Sequence, residues 1–281
     1  MTSVVAIVAP GNMGAAVARR FAEHDVRVLT VLAGRSAASQ ARAAAAGMIA
    51  VSLDRLVEAD FLLSIVPPAT ALSFAEQMAA LLSSAERKPV FVDCNAVSPA
   101  TAQRIHLVMS ATGTPFVDAA IFGPPPQPGG PGPHFYASGA SAARFQTLSS
   151  YGLDIRVLEG PIGAASALKM SYAGINKGVT AIATAMILAA SRAGATEVLF
   201  QEMSESLPGL LTSLGRQVPD MLPKAHRWVA EMQEIAAFCA EDAAAKDIFN
   251  GAARLYERMA RDVGGSKQES AALTQFFSTK D

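Results

Sequence analysis

An alternation of short apolar runs with alanine-rich stretches over the first 160 residues constrains the fold most strongly. The apolar runs have the length of buried strands, and the alanine-rich stretches have the length and spacing of helices. Strands are predicted at 4–8, 26–32, 61–65, 90–93 and 116–121, and helices at 14–24, 36–46, 69–82 and 99–110. Such alternation is typical of a parallel sheet that carries helices on both faces.

The chain changes class near residue 160. The segment 123–134 is rich in proline and glycine, which exclude regular structure, and a short strand, helix and strand follow at 135–138, 142–149 and 155–158. After residue 160 only helices are predicted, at 164–193, 197–206, 210–217, 226–240 and 247–263. We therefore predict an α/β domain at 1–160 and an all-α domain at 161–281.

Charge and cysteine content exclude several classes of protein. The formal net charge is −1 and the charges are spread along the chain, so we expect neither nucleic acid nor a membrane surface as a partner. The apolar stretch 178–191 has 14 residues, fewer than the roughly 18 that suggest a membrane span. Two cysteines and four scattered histidines indicate neither a disulfide framework nor a metal site. We expect a cytoplasmic protein without a bound metal.

The turn between the first predicted strand and helix reads APGNMG, residues 9–14. This is a dinucleotide-binding fingerprint in its required context, with alanine at the first glycine position. Gly11 allows the backbone to approach a pyrophosphate, Gly14 permits close packing of helix on strand, and the helix N-terminus supplies free N–H groups. An ordinary tight turn is the alternative. We predict a Rossmann-type domain whose cofactor contacts Pro10, Gly11, Asn12, Met13 and Gly14.

The end of the second predicted strand bears on the choice of cofactor. A domain that binds NAD usually carries Asp or Glu here, about 20 residues beyond the glycines, to bind the ribose 2′-hydroxyl. The strand instead ends in LAGRS, residues 32–36, and no acidic residue follows before Asp54. Arg35 can pair with a 2′-phosphate, and Ser36 offers a hydroxyl or an N–H group beside it. We therefore predict NADP, although Arg35 can also be a solvated residue at a helix start.

These motifs together carry a resemblance to a known superfamily. The glycine turn, the LAGRS segment, and the segments VDCNAVSPATAQRI, FVDAAIFGPPP and GPIGAASALKM are similar to the β-hydroxyacid dehydrogenase and 6-phosphogluconate dehydrogenase superfamily. Within it, the chain most resembles a branch whose C-terminal phosphogluconate-dehydrogenase-like domain is of unknown function. The resemblance covers nearly the whole chain. It implies hydride transfer between NADP and a small hydroxy acid or related alcohol, and a homodimer built through the helical domains.

The resemblance also implies roles for particular residues. Lys169 matches the catalytic lysine, which acts as a general acid/base. Asn95 and Ser98 match residues that position substrate and nicotinamide, and Val66 and Pro67 match a loop beside the nicotinamide. From its position alone, Ser98 can equally be the N-cap of the helix that follows it.

Two lysines lie within the apolar pattern of the helix predicted at 164–193. An unpaired buried ammonium is costly, so each lysine needs a partner or a task. On a helix, Lys169 and Asn176 lie on one face, two turns apart, and we expect Asn176 to take part in catalysis with Lys169 and Asn95. Lys177 points about 100° away from Asn176. The alternative to catalysis is that both lysines reach solvent or form structural salt bridges.

Two departures from the family pattern concern the substrate. Ala173 replaces the asparagine that normally follows the lysine by four residues, and the preceding residue is Tyr172. The usual serine-glycine-glycine loop becomes FGP at 122–124, which removes a hydroxyl group. The substrate is therefore expected to be less polar or to bind differently, and its predicted contacts are Ser98, Phe122, Gly123 and Tyr172. Imine reduction, or a non-catalytic NADP-binding sensor or scaffold, are the alternative functions.

Overall fold

The computed structural model describes residues 3–278 of the chain. Its contacts divide the chain into two compact units, of which the first ends at Met170 and the second begins at Ser171. The sequence pattern changes class ten residues earlier, at residue 160. The difference arises because the first turns of the long helix that follows are hydrogen-bonded to the sheet of the first unit.

The first unit contains an eight-stranded sheet. Its strands are β1 (Val4–Ile7), β2 (Arg27–Thr30), β3 (Ile49–Ala50), β4 (Phe61–Ser64), β5 (Val90–Asp93), β6 (Phe116–Phe122), β7 (His134–Ser138) and β8 (Asp154–Val157). They are ordered β3-β2-β1-β4-β5-β6-β7-β8 across the sheet. The predicted strands of this unit are present within two residues of their predicted ends, whereas the two-residue strand β3 was not predicted from the sequence.

The sheet is parallel except at one pair of strands. β6 and β7 are antiparallel, with Phe122 opposite His134, whereas the other neighbours run parallel. The parallel arrangement predicted for the alternating strands is confirmed for β1, β2, β4, β5 and β6, and the direction after the proline-rich segment was not predicted. The proline-rich segment between β6 and β7 contains no helix that could carry the chain back to the amino ends of the strands, as a parallel return requires. It therefore returns the chain at the carboxyl end of β6.

Helices cover both faces of this sheet. They are α1 (Asn12–Ala22), α2 (Ala37–Ala45), α3 (Pro68–Ser84), α4 (Pro99–Ser110) and α5 (Ala142–Gln146). Alternate residues of β1 enter different cores: Val5 and Ile7 pack with α1 and α5, and Ala6 packs with α3 and α4. The two cores cover both faces of the sheet. In such folds, ligands bind at the carboxyl ends of the strands.

The second unit is helical. Its helices are α6 (Ala164–Arg192, which begins in the first unit), α7 (Thr196–Ser206), α8 (Pro208–Met221), α9 (Ala225–Phe238), α10 (Ala243–Gly264) and α11 (Gln268–Ser278). Five of these match the predicted pattern, and α11 was not predicted. By length and composition α6 alone, among residues 3–278, could cross a membrane, a property that core helices of soluble proteins share.

Candidate functional site

The glycine turn between β1 and α1 has the geometry that a dinucleotide requires. Gly11 is the N-cap residue of α1, and a Cβ atom added to it would meet no heavy atom within 4 Å. At Gly14 a Cβ would lie 2.4 Å from the Ala9 carbonyl oxygen and 3.2 Å from Ile7, so this position tolerates only glycine. The turn therefore combines an open approach to the α1 N–H groups with tight packing behind it, as an anion site needs.

The other predicted residues of this turn differ in exposure. Pro10 is buried and Asn12 is exposed at the first position of α1, while Met13 is half-buried and packs on the core beneath. Arg42 of α2 donates from Nε to the Pro10 carbonyl oxygen at 3.1 Å and from Nη2 to Ser39 Oγ at 2.9 Å. The sequence did not single out Arg42, because its partner lies 32 residues away and no local pattern marks the contact.

A cavity of about 470 Å³ lies beside the ends of β1 and β2. Its lining residues include Val8, Leu53, Phe74 and the predicted Arg35. Small-molecule sites typically have volumes of about 300–1,000 Å³, so this cavity is large enough for the adenosine part of a dinucleotide. Arg35 is exposed and follows Gly34, whose φ of 72° turns the chain out of the strand. The guanidinium of Arg35 is thus available at the rim of the cavity.

Ser36 is the N-cap residue of α2. Its Oγ accepts from the Ser39 N–H group at 3.3 Å and contacts Ser39 Oγ at 3.2 Å. Because Arg42 also donates to Ser39 Oγ, the residues Ser36, Ser39 and Arg42 form one chain of hydrogen bonds beside Arg35. Both groups predicted for a 2′-phosphate therefore stand at the start of α2, where the helix dipole also favours an anion.

Asn95 organises the turn after β4. Its Oδ1 atom accepts from the Val66 N–H group at 2.7 Å, and its Nδ2 group donates to Ser64 Oγ at 2.8 Å and to Asp93 Oδ1. The residue is 4% exposed. Pro67 is exposed beyond this turn and precedes α3. The structure thus brings Asn95 together with Val66, and the contact shows that Asn95 holds the turn in place.

Asp93 is a buried carboxyl group beneath this turn. Burial, and then the charge of Asp118 opposite it on β6, raise the pKa of Asp93 to about 7, against the opposing effect of the Asn95 hydrogen bond. Among residues 3–278 its Oδ2 atom has no hydrogen-bond partner. The same surroundings raise the pKa of the neighbouring Cys94 thiol, chiefly through burial. The interior at the carboxyl end of β5 is therefore poorly suited to a further negative charge.

Ser98 is the N-cap residue of α4. Its Oγ accepts from the Thr101 N–H group at 3.3 Å, and the side chain is almost fully buried. Of the two roles open for Ser98 in the sequence, capping is thus observed, while the contact with substrate stays a prediction.

Lys169 lies against the carboxyl end of β6. Its Nζ atom donates to the Ile121 carbonyl oxygen at 2.7 Å and stands 4.7 Å from the centre of the Phe122 ring. That ring meets Tyr136 edge-on at 5.3 Å. Gly123 follows with a φ of 118°, where a side chain would be strained. The structure therefore brings together three predicted residues, Lys169, Phe122 and Gly123.

Tyr172 and Asn176 belong to the second unit, and both are exposed on α6. Their proposed roles stay predictions. Lys177 has a partner within the helical unit. Its ammonium forms an ion pair with Glu231 and lies 4.6 Å from the centre of the Trp228 ring. Burial lowers the pKa of Lys177, and Glu231 opposes that effect. Lys177 is thus a structural lysine.

Fold and turn together define the class: a nicotinamide-dinucleotide-dependent dehydrogenase or reductase. The family described as the NAD binding domain of 6-phosphogluconate dehydrogenase matches residues 4–148, just over half of the chain. The protein belongs to this family and is an NAD(P)-dependent oxidoreductase. A domain of unknown function (DUF1932) matches residues 190–259 in the helical unit. The resemblance inferred from the sequence is therefore confirmed.

Solved structures agree with this assignment. A conserved protein of unknown function, described as structurally similar to 3-hydroxyacid dehydrogenases, is 28% identical, with a TM-score of 0.71 over 93% of this chain and 99% of that one. The 3-hydroxyisobutyrate dehydrogenase of Mycobacterium tuberculosis, solved with L-serine, is 20% identical, with a TM-score of 0.73 over 98% and 99%. An imine reductase from Myxococcus stipitatus, solved with NADP⁺, is 18% identical, with a TM-score of 0.55 over 98% and 99%. The last two show the fold alone.

Proposed function

We propose that this oxidoreductase is NADP-dependent and transfers hydride between the nicotinamide and a small hydroxy acid or related alcohol or carbonyl compound. Lys169 is the proposed general acid/base. The observation that carries this proposal is the position of the Lys169 ammonium, which is held at the Ile121 carbonyl oxygen at the carboxyl end of β6. Ligands of open α/β sheets bind beyond this edge.

The lysine supplies the proton that the reaction needs. A nicotinamide cofactor held by the glycine turn would supply the hydride chemistry. In reduction, the Lys169 ammonium gives a proton to the substrate oxygen; in oxidation, the neutral amine takes the hydroxyl proton back. The Phe122 ring lies beside the ammonium, which favours a substrate that presents a polar oxygen to Lys169 and apolar atoms to the ring. Asn95 serves this step as a positioning residue for the turn at Val66.

The preference for NADP rests on the start of α2. Arg35 stands at the rim of the cavity beside the capped N-terminus of α2, and no acidic residue lies between the end of β2 and Asp54. A guanidinium and helix N–H groups attract a 2′-phosphate, whereas a 2′-hydroxyl gains little from them. The proposed contacts are Arg35 and Ser36, with Arg42 as the residue that ties them to the glycine turn.

A homodimer built through the helical unit is also proposed. Apolar side chains stand more than half exposed along α6, namely Tyr172, Ile175, Ile182 and Met186. Beside them lies an apolar groove of about 200 Å³, lined by α6, α7 and α8. Exposed apolar surface of this extent supports association with a second copy.

Cofactor binding and a substrate panel together test the function. The purified protein is titrated with NADPH and NADH by fluorescence. It is then assayed with short 2- and 3-hydroxy acids plus NADP⁺, and with the matching aldehydes and keto acids plus NADPH. Tight NADPH binding and turnover of at least one compound are expected. Turnover confined to cyclic imines would favour imine reduction, which the fold also accommodates. Cofactor binding without any turnover would favour a sensor or scaffold.

A further inference from the structure

Asp118 of β6 is a fully buried carboxylate with four hydrogen-bond donors around it. Its Oδ2 atom accepts from the Gly163 N–H group at 2.9 Å, from the Ser166 N–H group at 3.1 Å and from Ser138 Oγ at 3.0 Å. Its Oδ1 atom accepts from Ser166 Oγ at 2.6 Å. So dense a set of donors satisfies a buried charge, which would otherwise be costly.

The backbone donors belong to the start of α6. The first N–H groups of a helix lack partners within the helix, and the N-terminus favours a negative charge. Here Asp118 takes the N–H groups of Gly163 and Ser166, and Ser138 Oγ takes that of Ala165 at 3.1 Å. A residue on a neighbouring strand, 45 residues earlier in the chain than Gly163, thus caps this helix.

The same strand holds the end of the lysine side chain. Ser166 and Lys169 are three residues apart and lie on one face of α6. Asp118 accepts a hydrogen bond from Ser166. The carbonyl oxygen of Ile121, three residues further along β6, accepts one from Lys169. We propose that Asp118 is a positioning residue for the acid/base step: its carboxylate sets the register of α6 on β6 and so places the Lys169 ammonium at the carboxyl end of the strand. This inference rests on the proposed role of Lys169.

The chain contains a matched control for a purely structural cap. Asp262 of α10 accepts from the Ser270 N–H group at 2.8 Å and from the Glu269 N–H group at 3.1 Å, at the start of α11. In both helices the carboxylate takes the N–H group of the third residue, Ser166 or Ser270. A cap that only stabilises a helix should behave alike at both sites.

Asp118→Asn and Asp262→Asn are compared with the full-length wild type. The temperature of thermal unfolding is expected to fall in both variants. Reductive methylation with ¹³C-formaldehyde gives an NMR signal for Lys169, assigned by its absence in Lys169→Met and shifted by the nearby Phe122 ring. That signal should move toward the position of exposed lysines in Asp118→Asn and stay unchanged in Asp262→Asn. With any substrate from the panel, kcat should fall by about 10- to 100-fold only in Asp118→Asn, with NADPH affinity retained.

If Asp118→Asn does not fold, Ser166→Ala and its match Ser270→Ala carry the same comparison. An unmoved Lys169 signal and an unchanged kcat in Asp118→Asn would overturn the positioning role. Lys169→Met separates this failure from failure of the proposed function. Loss of turnover in Lys169→Met with normal turnover in Asp118→Asn contradicts the inference alone, whereas normal turnover in Lys169→Met contradicts the proposed acid/base itself.

Discussion

The Nζ atom of Lys169 donates to the Ile121 carbonyl oxygen at 2.7 Å, which ties a lysine of α6 to the carboxyl end of β6. Lys177, on the same helix, is paired instead with Glu231 of α9. The two lysines of one apolar helix therefore have different partners, one in each compact unit. This contrast explains why the apolar part of this helix carries two lysines, and it makes the pair suitable for a matched test.

Lys169→Met is expected to lower kcat by about 100- to 10,000-fold, because it removes the proton donor and acceptor. NADPH affinity should stay within about twofold of the wild type, since the proposed role of Lys169 is to exchange a proton with the substrate and not to bind the cofactor. Steady-state kinetics and fluorescence titration measure both quantities. Lys177→Met is the control. It should leave kcat largely unchanged but lower stability by about 1–3 kcal/mol, because Glu231 loses its partner. Equal losses of kcat would contradict the assignment.

Gly11→Ala and Gly14→Ala should fail in different ways. At Gly11 the added Cβ meets nothing within 4 Å, so the protein should fold normally but bind NADPH at least about tenfold more weakly, because the methyl group occupies the approach of the pyrophosphate. At Gly14 the Cβ lies 2.4 Å from the Ala9 carbonyl oxygen, and stability should fall by about 1–3 kcal/mol. Thermal unfolding and cofactor titration separate the two effects. Normal NADPH binding by Gly11→Ala would argue against this cofactor site.

Arg35→Ala should weaken NADPH binding by about 10- to 100-fold and leave NADH binding almost unchanged, because only the 2′-phosphate uses the guanidinium. The NADPH affinity of the wild type should also fall with added salt more steeply than that of the variant. Arg104→Ala, at an exposed position on α4, is the control for the loss of a positive charge. A parallel loss of NADPH and NADH affinity in Arg35→Ala would remove the basis for NADP preference.

Asp93 should make stability depend on pH in the neutral range. Its folded pKa is raised to about 7, whereas the unfolded value is near 3.8. The folded state therefore holds a proton between these values that the unfolded chain releases, so the stabilisation is complete below pH ~4 and is lost as the pH rises through ~7. Asp93→Asn should keep the hydrogen bond from Asn95 and abolish the fall in stability with rising pH. Thermal unfolding temperatures recorded from pH 4 to 8 measure this dependence of stability on pH. Asp54→Asn, at an exposed site, should retain the wild-type slope.

Ile175→Glu should shift the protein from dimer to monomer at micromolar concentration. Ile175 is 71% exposed on α6, and a carboxylate there would be buried against a second copy at high cost. Light scattering or sedimentation measures the change. Leu107→Glu changes a residue of α4 in the first unit that is 66% exposed, and it should leave the oligomeric state unchanged. A monomeric wild type, or a dimer that survives Ile175→Glu, would contradict association through this helix.

Much of this architecture follows from local patterns. Strand and helix positions, the glycine turn and the arginine after β2 are readable because periodicity and turn residues act over a few residues. The direction of β7 is different. It was not predicted, although a short proline-rich connection without a helix favours an antiparallel return.

Contacts across long stretches of sequence could not be predicted. Asp118 reads in the sequence as one residue of an apolar strand, and its partners Gly163 and Ser166 come more than 40 residues later. Arg42 likewise reads as a polar residue on a helix face, although it donates to the Pro10 carbonyl oxygen. Asn95 was predicted as a catalytic residue, and the structure adds that its amide is occupied by Val66, Ser64 and Asp93.

The antiparallel return between β6 and β7 bears on how such an enzyme can diversify. Because the chain reverses at the carboxyl end of β6, the segment 123–133 leaves and re-enters the sheet on the side of the Ile121 carbonyl oxygen. Arg20 of α1 anchors this segment through the carbonyl oxygens of Gln127 and Gly130. Insertions or deletions within this segment change the chain that follows Phe122 without changing the register of any strand. With Lys169 as the proposed acid/base, a change in the length of this segment is expected to alter substrate range while the strands that carry the cofactor turn stay the same.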